Sequence, residues 1–224
     1  LQKIVPMNRS VARSRRRNRL FAFVKRLFDI VLSATMLLVL APVLLVVAVA
    51  VAVDTKASPF FVQTRMGRYN VPFRMWKFRT MSPHAPANVA TYKLNNAEKY
   101  ISRLGSFLRR ASIDELPQLW NILKGDMSFI GPRPVVLTET ELLTLRARNG
   151  ANTVRPGLTG WAQVNGRDNV QVTEKAMLDA YYVRRFSLAV DVRILWRSVS
   201  CVLHAEGVSE GANPQVDNAS RHTL

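Results

Sequence analysis

Two adjacent carboxylates, Asp114 and Glu115, follow two adjacent arginines, Arg109 and Arg110, by a few residues. Positive charge beside an acid favours its ionised form, and the same guanidinium groups can hold an anionic substrate against it. Next to a bound phosphate, an ionised carboxylate can serve as a nucleophile, a metal ligand or a base. The plain structural alternative is helix capping, because the acids precede a helical run, Leu116 to Lys124. Asp114 as the cap places Pro117 third in that helix, where no intrahelical N–H bond is needed. Ser112 as the cap, boxed with Glu115, buries the proline deeper and fits less well. Two rigid loops present more arginine: Gly131-Pro132-Arg133-Pro134, and Arg155-Pro156-Gly157-Leu158-Thr159-Gly160-Trp161 leading to Asn165-Gly166-Arg167. Guanidinium forks on rigid loops suit phosphate. Turn chemistry explains the Pro and Gly there but not the recurring arginine.

Composition favours an anionic partner. The 224 residues carry 32 Lys+Arg against 15 Asp+Glu, a formal net charge of +17. Such an excess points to nucleic acid, a lipid surface or a phosphorylated substrate. Cys201 is the single cysteine, so an intrachain disulfide is excluded. His84, His204 and His222 are too scattered for a His/Cys metal cluster.

Ile30 to Val53 contains no charged residue. As a helix it is about 36 Å long at 1.5 Å per residue, against roughly 30 Å of bilayer hydrocarbon. Both flanks are basic. Lys3, Arg9, Arg13, Arg15, Arg16, Arg17, Arg19, Lys25 and Arg26 precede it, and Lys56, Arg65, Arg68, Arg74, Lys77 and Arg79 follow. A straight span would put one basic flank outside, against the positive-inside rule. Pro42 sits near the middle of the run, lacks an N–H and clashes with the carbonyl of Leu38. A re-entrant helix-break-helix satisfies both observations, and a tilted span with a tolerated proline is its rival. The basic N-terminus is either a solvated tail or a contact for anionic lipid.

The rest reads as a mostly helical α+β domain. Pro59 to Gln63 and Phe73 to Phe78 are β-prone, and Gly67-Arg68-Tyr69-Asn70 between them predicts a hairpin. Ser82 to Ala90 reads as a loop, Ala97 to Arg110 as a helix, and Gly125 as the C-cap of the run ending at Lys124. Val190 to Leu203 is an amphipathic helix, lying at the membrane interface or in the core. The expected organisation is a disordered basic tail over 1–23, a membrane segment over 24–54, a catalytic domain over 55–206 and a frayed tail over 207–224.

Taken together, several ordered motifs resemble the bacterial sugar transferases, the monotopic phosphoglycosyl transferases. They are Lys25-Arg26-Leu27-Phe28-Asp29, Trp76-Lys77-Phe78-Arg79-Thr80-Met81, the block from Arg109 to Gln118, Lys124-Gly125-Asp126-Met127-Ser128, Gly131 to Pro134, and Arg155 to Arg167. The resemblance runs from about Val24 to Gly207 and is to the short form of the family, with an added basic tail. It implies transfer of a sugar 1-phosphate from a UDP-sugar to polyprenyl phosphate, with release of UMP, at the cytoplasmic face of the bacterial inner membrane. Exopolysaccharide, capsule or O-antigen assembly would be initiated that way.

By the same resemblance Asp114 is the nucleophile that forms an aspartyl phosphosugar, and Glu115 is its partner in base or metal work. Magnesium is the metal, held by Asp114 and Glu115. Lys77, Arg109, Arg133 and Arg155 contact phosphates, and Pro42 breaks the membrane helix. The family commonly has serine before that proline; here it is Ala41, so the break lacks a hydroxyl partner. UDP-sugar, polyprenyl phosphate and anionic lipid are the expected partners, nucleic acid is not, and homo-oligomerisation is left open. A membrane-tethered nucleic-acid-binding or scaffold protein would also suit the charge, but gives no reason for Asp114-Glu115 among arginines. Hydrolysis of a polyprenyl-linked phosphate is the enzymatic rival.

Overall fold

The computed structural model describes residues 9–85, 97–165 and 171–203. It is a mostly helical α+β structure with one long apolar N-terminal helix and two small sheets. Helix α1 runs from Arg9 to Thr55 with Pro42 inside it. Two expectations change here. The stretch from Arg9 onward, read as a disordered tail, is helical, and Pro42 does not end the helix. Proline removes one hydrogen bond, and packing on both sides of it offsets that loss. Leu32, Met36, Leu37 and Leu40 pack on the main core before the proline. Leu44, Val47, Ala48 and Val51 pack on Phe78 and Leu108 after it. These residues recur three or four positions apart, with Met36–Leu37 and Val47–Ala48 as adjacent pairs, one stripe of a helix. The opposite stripe is bare: Leu38 is 78% exposed, and Val39, Val43, Leu45, Val46 and Val49 are exposed with it. By length and composition Arg19–Thr55 is apolar enough to cross a membrane.

Polar contacts tie the foot of α1 to the domain. Lys25 Nζ donates to Asp191 at 2.6 Å, and Arg26 donates to the carbonyls of Ile122 and Leu123. Buried Asp29 accepts from the Ser128 hydroxyl at 3.1 Å and the Phe129 N–H at 3.2 Å. An ionisable residue at the edge of an apolar helix is costly unless paired, and each of these three finds its partner in the domain.

The predicted hairpin is present. Strands β1 (Phe60–Met66) and β2 (Pro72–Phe78) pair antiparallel, with Phe60 opposite Phe78 and Met66 opposite Pro72. A 3-10 turn at Arg68–Asn70 joins them. The helix expected over 97–110 divides into a 3-10 turn at Ala97–Tyr100 and helix α2, Arg103–Arg110. Ser102 caps α2, its hydroxyl accepting from Gly105 N–H at 2.9 Å. Helix α3 spans Gln118–Lys124, and Gly125 closes it at φ +103°, as predicted from the C-cap glycine.

The proline loops hold more structure than their composition suggests. Strand β3 (Ser128–Ile130) and strand β4 (Gly157–Thr159) form a short parallel pair. A Cβ at Gly157 or Gly160 would collide with the Gly131 backbone, so only glycine lets the loops touch. Between these strands lies helix α4, Thr140–Asn149. After them come α5 (Trp161–Val164), α6 (Val172–Arg184) and α7 (Leu188–Leu203). Helix α7 is amphipathic, with one face in the core and the other exposed. Ile194 and Asp191 are buried, whereas Leu188, Val192, Leu195, Trp196 and Val199 are exposed. Residues 86–90 of the expected loop, Gly166-Arg167 and the 207–224 tail lie outside the described residues.

Candidate active site

Asp114 and Glu115 sit in a single 3-10 turn, Ile113–Glu115, between α2 and α3. This corrects the capping assignment. Helix α3 begins at Gln118 after Pro117, and neither Ser112, Asp114 nor Glu115 caps it with a side chain. Proline has no N–H to give and its φ of −60° suits the entry to a helix, so the helix starts after it. The acids are thereby free for other partners.

Those partners are cations from three elements. Lys77, on β2, places Nζ 2.7 Å from Glu115 Oε1 and 3.8 Å from Asp114 Oδ2. Arg133, on the loop after β3, donates from Nη2 to the same Glu115 oxygen at 3.2 Å. Arg109, near the end of α2, donates to Thr80 Oγ1 at 2.8 Å and adds its charge to the field at Asp114. Three of the ordered motifs thus converge, with Asp114 only 7% exposed.

The two acids titrate in opposite directions. Burial pushes the Asp114 carboxyl above its ordinary value; Lys77, Arg109 and Arg133 oppose this, and the Glu115 charge adds to it. This departs from the expectation that arginines leave the acid readily ionised: burial outweighs them, and Arg110 is exposed and takes no part. Burial also works against the charge on Glu115, but Lys77 and Arg133 outweigh it and hold its pKa down at about 2. The two adjacent carboxylates thus sit in different electrostatic settings.

Arg155 is not brought to the acids. Its Nε donates to the Gly125 carbonyl at 2.8 Å, at the far end of α3, and its charge is felt by Arg26 and Arg68. Burial and those two cations lower its pKa. Helix α3 is about 10 Å long, and the bond from Arg155 is to its far end.

Asn121 was missed by the sequence reading. It is 1% exposed. Its Nδ2 donates to the Arg74 carbonyl at 2.7 Å and its Oδ1 accepts from Trp76 N–H at 3.0 Å, which fixes the strand that carries Lys77. The available signal was an amide inside an otherwise apolar helical run. Asn121→Ala removes both main-chain bonds, each worth about 0.5–1.5 kcal/mol. A clear drop in melting temperature is expected in a thermal scan of the detergent-solubilised protein. An unchanged melting temperature would show the two bonds to be dispensable.

The bacterial sugar transferase family model matches residues 20–205. The chain belongs to the bacterial sugar transferase family. Among relatives, the transferase is 40% identical over 187 residues to an uncharacterized sugar transferase, EpsL, of Bacillus subtilis, covering 83% of this chain and 90% of that one. It is 38% identical over 182 residues to the UDP-glucose:undecaprenyl-phosphate glucose-1-phosphate transferase of Escherichia coli, covering 78% of this chain and 39% of that one. It is 35% identical over 196 residues to the UDP-N-acetylgalactosamine-undecaprenyl-phosphate N-acetylgalactosaminephosphotransferase of Aeromonas hydrophila, covering 84% of this chain and 45% of that one. The transferase therefore spans nearly all of the first relative and less than half of the other two.

Proposed function

We propose that this chain moves a sugar 1-phosphate from a UDP-sugar to a polyprenyl phosphate at the cytoplasmic face of the bacterial inner membrane, and so initiates assembly of a surface polysaccharide. One observation carries the reading: a buried carboxylate, Asp114, lies among Lys77, Arg109 and Arg133 in a domain tied to an apolar helix. Asp114 attacks the phosphorus bearing the sugar, the bond to the UMP oxygen breaks, and UMP leaves with the electron pair. A polyprenyl phosphate oxygen then attacks the aspartyl phosphosugar and returns the carboxylate, leaving a polyprenyl diphosphate sugar.

Lys77, Arg109 and Arg133 neutralise diphosphate charge, without which an anion cannot approach phosphorus. Lys77 and Arg133 hold the Glu115 carboxyl well below its ordinary value and so keep it charged. Its work is to stay charged and hold Lys77 and Arg133 in place. Among the described residues no cluster of three or more His, Cys, Asp or Glu forms a metal cage. Two adjacent carboxylates do fit magnesium, which is commonly held by one or two carboxylates plus substrate phosphates. Asp114 and Glu115 would hold it, and when bound it would offset charge on the diphosphate and on departing UMP.

Purified protein in nanodiscs, assayed with a panel of UDP-sugars, tests this reading. UMP release is expected only when polyprenyl phosphate is present beyond the first turnover. Continued release without it would indicate hydrolysis, and no release with any sugar would favour a tether or scaffold.

The membrane segment enters and returns on the cytoplasmic side in this reading. Asp29 and Val51 lie about 33 Å apart along the helix, yet both are bound to one domain, Asp29 by Ser128 and Val51 by Phe78 and Leu108. A full span would put those two contacts on opposite faces of the bilayer. Exposed Leu38, Val39 and Val43, around Pro42, suit the apex. Basic residues before Ile30 add roughly 1 kcal/mol each with anionic lipid. Ser10→Cys and Ser82→Cys, each in a Cys201→Ser background, should resist an impermeant thiol reagent in intact cells and react after lysis. Pro42→Leu should move part of the Ser10→Cys population outside. Outside labelling of Ser10→Cys with Pro42 intact would establish a true span.

A further inference from the structure

The loop that delivers Arg133 is gripped from behind. Arg146, on α4, is 5% exposed and donates from Nη1 to the main-chain carbonyl of Arg133 at 3.0 Å. Its Nε and Nη2 both bind Asp179 Oδ2, on α6, at 2.8 and 2.6 Å. Asp179 is 1% exposed, and its other oxygen has no partner among the described residues. As a device for stability this pair is poor. Burying two charges costs several kcal/mol per ion and is offset only when the remaining lone pairs are satisfied. One carboxylate oxygen here carries two bonds while its twin carries none. The arrangement does aim a third N–H of a locked guanidinium at the one carbonyl that sits between Pro132 and Pro134. Those prolines limit how the loop can shift by itself. The Gly157 N–H binds the Pro132 carbonyl at 3.0 Å and Arg65 Nη1 binds that of Pro134 at 3.4 Å, and the Arg146 bond holds the residue between them, whose side chain reaches Glu115.

We propose that Arg146 and Asp179 are positioning residues that act through Arg133, setting where its guanidinium meets Glu115 and the substrate phosphate. This rests on the proposed phosphosugar transfer and extends it to two residues on α4 and α6 that touch neither acid.

The experiment compares two ways of cutting the bond. Arg146→Lys keeps a cation beside Asp179, but a single ammonium cannot reproduce a fork that serves two acceptors. Arg146→Met combined with Asp179→Leu removes the pair outright, and apolar replacement of buried ion pairs is often neutral or stabilising. Each is made with Arg133 intact and with Arg133→Ala, and UMP release is measured with polyprenyl phosphate present. With Arg133 intact, each folded variant should lose about tenfold or more in kcat/KM at near wild-type melting temperature. In the Arg133→Ala background the same change should cost less than about twofold, the non-additivity of residues acting in series. Equal losses in both backgrounds, or wild-type activity in the apolar double replacement, would overturn the proposal. If the double replacement does not fold, the Arg146→Lys pair decides by the same comparison. Inactivity of the unsubstituted protein towards every UDP-sugar would instead strike at the phosphosugar reading itself.

Discussion

Asp114→Asn should reduce turnover to background, a loss on the order of 10⁴-fold or more, as for other deleted nucleophiles. Asparagine has nearly the same shape, so the packing of the 3-10 turn is kept and only the nucleophilic oxygen is lost. The carboxylate is already disfavoured by burial, so a neutral amide places no new demand on the fold. Melting temperature should stay the same or rise. Steady-state UMP release and a thermal scan on the same preparation check both halves. An Asn variant that keeps even a tenth of wild-type turnover would remove Asp114 from the chemistry.

Glu115→Gln should cut the rate at least about 100-fold, the scale of a preorganised charge in a transition state. Its carboxylate binds both Lys77 and Arg133 through one oxygen. Without that charge the two cations lose their common anchor. Lys77 still has Asp114 3.8 Å away, so its charge is not stranded and the fold should survive. The variant should raise KM for UDP-sugar as well as lower kcat, because the same cations bind ground-state phosphate. Glu115 caps no helix, so a variant whose only defect is a lower melting temperature would contradict the site geometry.

Local signals made much of this architecture legible. The hairpin followed from two β-prone runs around Gly67-Arg68-Tyr69-Asn70, and the end of α3 followed from Gly125. The convergence of Lys77, Glu115 and Arg133 was visible only as motifs in order, since it depends on contacts across 18 and 38 residues of sequence. The start of α3 was misjudged because Pro117 fits either just before a helix or within its first turn, and the choice turns on packing rather than on the dipeptide. Burial reversed the expected direction of the Asp114 shift, since neighbouring arginines announce themselves in sequence and desolvation does not. Arg155 was assigned to phosphate on loop chemistry and on the family resemblance; its Nε donates to the Gly125 carbonyl, at the end of α3 away from the acids. Helices α4 and α6 went unread, and with them Arg146 and Asp179. A buried ion pair across 33 residues leaves no periodic trace, whereas Asn121 inside an apolar run did leave one.

The central claim is that phosphosugar passes through Asp114, and intact-protein mass spectrometry tests it most directly. Detergent-purified protein is mixed with UDP-sugar and no polyprenyl phosphate, then quenched. The account predicts one added sugar phosphate per chain on the unsubstituted protein, released by polyprenyl phosphate and absent from Asp114→Asn. Polyprenyl-dependent UMP release at full rate with no adduct at any time, or an adduct that persists in Asp114→Asn, would contradict it.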